Sequence, residues 1–314
     1  MRPKGTLVFA SGKQTDFDIW TLNIESKELH QLTTGGAWND APKWSPDGSK
    51  IVFVSNRSGI PELWTMGADG SNQRQLTNSS KFHAEPCWSP DGKQIACAAN
   101  YDNGENIDIY VVNADGSGSP ERVTSNTGVE AGPSWSPCGG YMLYSSTREG
   151  NEDIYELDLS TGKERRVTSH PARDFHPAYS PDGTQIAFVT EADENSSSDG
   201  SADADVWVMS RDGMSEKRIT KNSGCDRFVS WSPEGNFVVC CADGKGTGGT
   251  DRLNIIRVDT NVQIDFSYDR SAMEQEIDAK LKEHWLWGLL PEFVQRKAYP
   301  EYYFGCERYP DWKA

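Results

Sequence analysis

Hydrophobic residues fall in short runs of strand length, separated by clusters of Asp, Gly, Ser and Pro. The runs at 51–55, 95–99, 142–146, 186–190 and 237–241 are almost continuously apolar, the pattern of strands covered on both faces. A second run follows each of them, as at Leu63-Trp64, Ile109-Tyr110, Ile154-Tyr155, Val206-Trp207 and Ile255-Ile256. The first four of these open on an acid: Glu62, Asp108, Asp153 and Asp205. A more polar segment then closes on Leu76-Thr77, Val123-Thr124, Val167-Thr168 or Ile219-Thr220. Strands this short, with turn residues about every 8–12 positions, predict an all-β fold.

The sequence Trp-Ser-Pro-Asp-Gly at 44–48 punctuates that pattern. It returns at 88–92, and with changes at 135–139 (Cys138 in the place of Asp), 179–183 (Tyr179 leading) and 231–235 (Glu234 in the place of Asp). Pro fixes φ, Asp bonds back to the backbone and Gly takes positive φ, so each copy predicts a tight turn. A strand-built repeat of roughly 44–52 residues predicts a propeller with four strands to a blade. The aromatic residue ends each blade's first strand. A further unit at the N-terminus lacks that strand; residues 7–11, Asp18-Ile19-Trp20 and Leu32-Thr33 supply the other three. Pro310-Asp311-Trp312 matches Pro42-Lys43-Trp44, Pro86-Cys87-Trp88, Pro133-Ser134-Trp135 and Pro177-Ala178-Tyr179. The expected fold is therefore a six-bladed β-propeller of four-stranded antiparallel blades, one domain over 1–314. A C-terminal strand is expected to close it and cover the free edges at the seam.

The Pro-x-Trp-Ser-Pro-Asp-Gly turns, the Asp-Ile-Tyr/Trp third strands and the Leu-Thr strand ends resemble those of the TolB-like six-bladed propellers, a WD40-like repeat family. The resemblance covers roughly residues 7–267 and the final strand. It implies the fold and not a function, because this fold carries scaffolds, sensors and enzymes. Some TolB-like propellers resemble lyases that act on acidic oligosaccharides with a His-bound metal in the channel.

Three segments depart from the repeat, all on what is expected to be one face, the upper one. Residues 191–205 are acidic and Ser-rich, a solvated loop whose other reading is a weak calcium clip. Residues 243–250 are Gly-rich but lack the Gly-Lys-Ser/Thr ending of a phosphate cradle. Residues 268–306 predict a small helical insertion, with Ser271 and Glu274 as its capping box and Met273, Ile277, Leu281 and Trp285 at helical spacing. Trp285, Trp287, Leu290 and Phe293 belong to a cluster too apolar for water. That cluster serves as a brace on the seam, a lid over the channel or a docking surface for another chain.

Composition narrows the partners. The chain has 47 acidic and 31 basic residues, a net charge of −16. It offers no basic face to nucleic acid. No stretch has the roughly 18 apolar residues of a membrane-spanning helix. Seven Cys, an odd number, suggest reduced core thiols. Residues 1–6 show no apolar leader, so the expected compartment is the cytoplasm, with the periplasm or secretion as the alternative where a leader has been removed. The expected state is a monomer.

Candidate chemistry centres on the channel. Five positions ahead of each blade's aromatic stand Asn39, His83, Glu130, Asp174, Asp226 and, by closure, Glu307. Near them lie Asp40, Glu85, His176, Arg227 and Arg308. Around a channel mouth these would form an acidic funnel. Glu130, Asp174, Asp226 and Glu307 are candidate cation ligands, calcium first because oxygen donors suit it. The two His would suit a transition metal instead. The acids Asp18, Glu62, Asp108, Asp153 and Asp205 recur blade after blade and read as structural, with Arg57 and Arg148 as candidate partners. His30, His170 and His284 read as surface residues. No Gly-x-Ser-x-Gly or His-Glu-x-x-His motif occurs. The expected function is a non-catalytic binding or scaffold propeller taking a protein, peptide, glycan or cation. The alternative is a metal-dependent lyase or hydrolase acting on a carbohydrate in the channel.

Overall fold

The apolar runs become second strands, and neighbouring blades cover them on both faces. The computed structural model describes residues 2–13, 16–101, 106–191, 204–221, 226–242, 252–264 and 308–313. Blade 1 joins β24 (Arg308–Lys313) to β1 (Thr6–Lys13), β2 (Asp16–Asn23) and β3 (Leu29–Gln31). Blade 2 runs through β4 (Asn39–Trp44), β5 (Lys50–Ser55), β6 (Glu62–Gly67) and β7 (Arg74–Gln75). Blade 3 has β8 (His83–Trp88), β9 (Gln94–Ala99), β10 (Asp108–Asn113) and β11 (Glu121–Arg122). Blade 4 has β12 (Glu130–Trp135), β13 (Tyr141–Ser146), β14 (Asp153–Asp158) and β15 (Glu164–Arg166). Blade 5 has β16 (Asp174–Tyr179), β17 (Gln185–Thr190), β18 (Asp205–Ser210) and β19 (Glu216–Arg218). Blade 6 has β20 (Asp226–Trp231), β21 (Phe237–Ala242), β22 (Arg252–Arg257) and β23 (Val262–Ile264). The chain is thus the expected six-bladed, all-β propeller. The predicted helical insertion over 268–306, with Trp285, Trp287, Leu290 and Phe293, lies outside the described residues, as do Glu307 and residues 192–203 and 243–250.

Closure follows the sequence match. β24 pairs antiparallel with β1, Leu7 opposite Trp312 and Val8 opposite Asp311. The Trp312 indole donates to the Lys4 carbonyl at 2.6 Å, and its ring stacks 6.4 Å from Phe237 of blade 6. The N- and C-terminal strands therefore share one blade, which leaves no open seam.

Each blade contact has its own apolar core. Val8, Phe17 and Ile19 of blade 1 meet Trp44, Ile51 and Phe53 of blade 2, and equivalent clusters fill the other five contacts. This explains how a chain of modest hydrophobic content builds a stable disc: many thin layers replace one thick core. The lower-face turns also interlock. Pro46, Pro90, Pro137 and Pro181 stand 3.4–3.8 Å from where a Cβ would sit on Gly92, Gly139, Gly183 and Gly235 of the next blade. Among the described residues Cys87, Cys97, Cys138, Cys240 and Cys241 are free thiols.

Trp312→Ala should lower stability by about 3–5 kcal/mol, the range for truncating a buried aromatic. Met214→Ala, at a side chain 83% exposed, should stay within about 0.5 kcal/mol. Urea unfolding measures both. Equal midpoints for the two variants would mean that β24 does not hold the ring shut.

Candidate functional site

Strands in a radial blade point their side chains at the neighbouring blades. Only the edge of the innermost strand faces the axis, which decides where the expected funnel residues go. Asn39, His83, Glu130, Asp174 and Asp226 are all within 1% of complete burial, inside the blade contacts and not around the channel. There Asn39, His83, Glu130 and Asp174 meet the recurrent third-strand acids of the preceding blade, and the Asp226 amide donates to the Ala204 carbonyl beside Asp205 at 2.7 Å. Those acids are structural, as expected. Thr33 and Thr220 hydroxyls donate at 2.9 Å to Asp18 and Asp205, and Thr77 donates to Glu62. The same Thr oxygens accept the Ile19, Leu63, Ile109, Ile154 and Val206 amides, Thr124 and Thr168 included. The Leu-Thr ending and the acid-aliphatic opening are two halves of one knot.

The knot has a charge rule of its own. Gln31, Gln75, Arg122, Arg166 and Arg218 stand eight residues ahead of Asn39, His83, Glu130, Asp174 and Asp226. Gln precedes the amide and the imidazole; Arg precedes each carboxylate. Arg122, Arg166 and Arg218 donate through Nη2 to Asp108, Asp153 and Asp205 at 2.6–2.7 Å. Through Nε they cap the Thr124, Thr168 and Thr220 carbonyls at 2.8–2.9 Å. The spacing was visible in the sequence and could have identified all three. Arg148, expected to serve a third-strand acid, instead grips Glu130 at 2.9 Å and Glu164 at 2.5 Å. Arg57 donates to Asn39 at 2.7 Å. His170, expected as a surface residue, is half-buried and lies 3.3 Å from Asp174.

Titration follows from these partners. At the contact of blades 2 and 3, burial pushes the Glu62 carboxyl up, but hydrogen bonds to His83 and Thr77 outweigh it and hold the group below its ordinary value; His83 Nδ1 lies 3.2 Å from Glu62. At the next contacts two acids meet, with Arg122 and Arg148 beside Asp108 and Glu130 and with Arg166 beside Asp153. Burial, with Asp108 nearby, raises Glu130, and burial also raises Asp153. Asp174 is pushed up to about 6, by burial first and with the Asp153 charge adding to it, against the charge of His170.

The proposed cation ligands therefore sit in separate contacts. Glu130 has Arg148 and Asn126, Asp174 has His170, and Asp226 opens β20 in the contact of blades 5 and 6. Among the described residues no three His, Cys, Asp or Glu come together to hold a metal ion. Asp40 is buried and accepts the Ala41 amide at 2.8 Å. Arg227 is half-buried at the second position of β20. Arg308 opens β24 opposite Ala10.

The residues that reach the axis do so through β-bulges. The register of each inner strand of blades 2–6 breaks at the same place. Ala41, Glu85, Gly132, His176 and Phe228 sit there at φ of 49–60°, and such a kink re-aims a side chain. Left-handed backbone costs about 1–2 kcal/mol at a non-Gly residue. Pro42, Pro86, Pro133 and Pro177 follow, suited to an inner edge because they carry no N–H to leave unpaired. The result is a cavity of about 260 Å³, lined by Glu85, Cys87, Ser134, His176, Phe228 and Asp311 among others. Glu85 is held by the Gly132 amide at 2.6 Å and faces His176 Nε2 at 3.2 Å. The His176 and Phe228 rings lie 4.6 Å apart. Asp311 accepts the Trp44 amide at 2.7 Å and the Ser230 hydroxyl at 3.1 Å, with Lys43 at 3.9 Å. Burial raises the Cys87 thiol. Of the expected funnel residues, the channel brings together Glu85 and His176.

A family model described as the TolB beta propeller domain matches residues 1–104 and 72–198. An uncharacterised protein of Agrobacterium fabrum is 37% identical over 135 residues, covering 42% of this chain and 41% of that protein. The Tol-Pal system protein TolB of Francisella tularensis subsp. mediasiatica is 37% identical over 93 residues, covering 29% of this chain and 20% of that one. These matches span less than half the length of either curated relative. The crystal structure of TolB from Acinetobacter baumannii superposes with a TM-score of 0.73 at 19% identity, over 98% of this chain and 66% of that one; this likeness is one of fold alone.

The raised Asp174 predicts a pH effect with a definite sign. A group whose carboxyl is lifted on folding contributes stability below its unfolded value, about 3.9, and that contribution is lost as pH rises through about 6. Asp174→Asn imitates the protonated form. It should be more stable than the parent at pH 7, by on the order of 2 kcal/mol, and equal to it near pH 4. Thermal unfolding across that range tests this; a variant less stable at pH 7 would show that Asp174 is held as a carboxylate.

Proposed function

The chain belongs to the TolB β-propeller family, and from that premise we propose that it is a non-catalytic binding propeller that receives a segment of a protein partner at its central channel. The observation that carries this reading is the way Glu85, His176 and Phe228 are presented. Each stands on a left-handed bulge residue, a costly conformation that surrounding packing must hold. The same strain fixes each side chain toward the axis before any partner arrives, which lowers the entropy cost of binding. An aromatic ring, an imidazole and a carboxylate then share a cavity of about 260 Å³, an arrangement that suits a peptide side chain and its amide.

The hydroxyl and thiol groups of the channel are poorly placed for covalent chemistry. Ser230 donates to Asp311, which already accepts the Trp44 amide. Ser134 accepts the Tyr179 amide at 3.3 Å. The Cys87 thiol is raised by burial, which lowers its thiolate fraction. A carbohydrate lyase with a His-bound metal would need several ligands converging in the channel; among the described residues Glu85 and His176 face each other there, while the other expected donors, Glu130, Asp174 and Asp226, sit in the blade contacts. Kinship with Tol-Pal system proteins supports the periplasmic alternative over a cytoplasmic setting.

A photo-crosslinking residue at position 228 in cells should give a discrete protein adduct, and the same residue at exposed Val262 should not. His176→Ala should reduce the adduct about tenfold, the equivalent of 1.4 kcal/mol, with little change in melting temperature. Oligogalacturonate incubated with the purified protein should give no unsaturated product by ultraviolet absorbance. Turnover that disappears in His176→Ala would replace the binding reading with the lyase one.

A further inference from the structure

Blade 4 carries a buried acid that its counterparts lack. Three residues after Asp18, Glu62, Asp108, Asp205 and Arg252 the other blades place Thr21, Thr65, Val111, Val208 and Ile255; three residues after Asp153, β14 places Glu156, only 5% exposed. Burial pushes its carboxyl up, but hydrogen bonds from Arg165, Arg211 and Tyr179 outweigh that, so it stays ionised. Arg165 and Arg211 come from blade 4 and from the turn after β18, and both reach Glu156 through Nε, at 2.7 and 2.8 Å. The Nη pairs are therefore not taken up by the carboxylate. Arg165 Nη2 donates to the Arg211 carbonyl at 2.6 Å, and the Arg211 guanidinium lies 4.1 Å from the centre of the Tyr141 ring. With Thr184, Ser210 and Asp212 the two Arg line an open cleft of about 510 Å³ between blades 4 and 5.

A second feature lightens the negative charge there. The adjacent lower-face turn is Ser-Pro-Cys-Gly, in which Cys138 stands where the other blades carry Asp47, Asp91, Asp182 and Glu234. The Arg211 charge is felt at Cys138, whose thiol is lowered chiefly by Ser136 and partly by that guanidinium. In a chain of net charge −16, two guanidiniums are thus fixed by a buried counter-charge beside a turn that has lost its acid. A planar fork of N–H groups, pre-oriented by a carboxylate behind it, is suited to an oxyanion in front of it.

We propose that the Arg165–Arg211 cleft is an oxyanion site, taking a phosphate or carboxylate group against the two guanidiniums. Asp212 at its rim is engaged by Ser210 at 2.5 Å and by the Met214 amide at 3.1 Å, and its charge weakens the site. The test is thermal unfolding in inorganic phosphate, in succinate and in chloride at equal ionic strength. The melting temperature should rise above the chloride value in phosphate or succinate and saturate in the millimolar range; the larger rise tells which oxyanion is preferred. Salting-out by phosphate raises melting temperatures without binding, so the variants decide. Arg211→Gln should lose the saturable increment relative to its own chloride baseline, even though removing a partner of Glu156 lowers that baseline. Asp212→Asn should shift the phosphate midpoint several-fold lower. Equal melting temperatures in all three salts, an increment that survives Arg211→Gln, or a weaker midpoint in Asp212→Asn would overturn the proposal.

Discussion

A buried polar knot governs each blade contact described from blade 1 through blade 6. A third-strand acid, the Thr two residues past the fourth strand and the first residue of the next blade's inner strand meet out of water. A buried carboxylate is costly unless it is hydrogen-bonded and balanced, so the three must arrive in register together. Apolar blade faces alone would tolerate sliding; the knot does not. Asp18, Glu62 and Asp205 each receive a Thr hydroxyl, and where the next blade brings a second acid, an Arg stands eight residues ahead of it. Blade contacts 1–2 and 2–3 carry Gln31 and Gln75 in place of that Arg and bring Asn39 and His83 against the third-strand acid, with Arg57 holding Asn39 at the first of them.

This bears on where the acidity of the chain goes. A net charge of −16 suggests a negative pore. Much of the recurrent acid is instead sealed between blades, where it sets register. The channel keeps a near-neutral set, with Glu85 facing His176 and Asp311 near Lys43. Its individuality comes from strain in the backbone, not from a surplus of charge. Five inner strands carry a bulge at the same position, and what differs from blade to blade is the residue placed on it: Ala41, Glu85, Gly132, His176 or Phe228.

Most of the fold was legible in the sequence because it is periodic. The Ser-Pro-Asp-Gly turns, the apolar second strands and the Pro-x-Trp match at Trp312 each fix a strand by local chemistry, and the matched C-terminal strand follows from counting. The third-strand acids were legible as structural because they recur. The channel was legible only in part: Glu85 and His176 stood among its expected residues, but Asn39, His83, Glu130, Asp174 and Asp226 did not belong there. Counting five positions back from Trp44 or Trp88 treats the inner strand as if its side chains faced the axis. In a radial blade they face the neighbours, and a bulge, which leaves no mark in composition, turns a different residue inward. So Asn39 and His83 went to the contacts, while Glu85 and His176, two places further along the inner strand, reached the channel. The Arg residues were missed for another reason: their partners lie eight residues away across a blade boundary, beyond the reach of a turn or strand motif.

The knot is tested most directly by a double-mutant cycle at the contact of blades 4 and 5. Arg166→Gln alone leaves Asp153, whose charge is felt at Asp174, without its cation. Combined with Asp174→Asn it reproduces the Gln31, Asp18 and Asn39 arrangement of the first contact. At pH 7 the cost of Arg166→Gln should be at least about 1 kcal/mol smaller in the Asp174→Asn background than in the parent, a coupling typical of groups in one buried network. An equal cost in both backgrounds would mean that Arg166 and Asp174 act independently, and that the contact is held by its apolar faces alone.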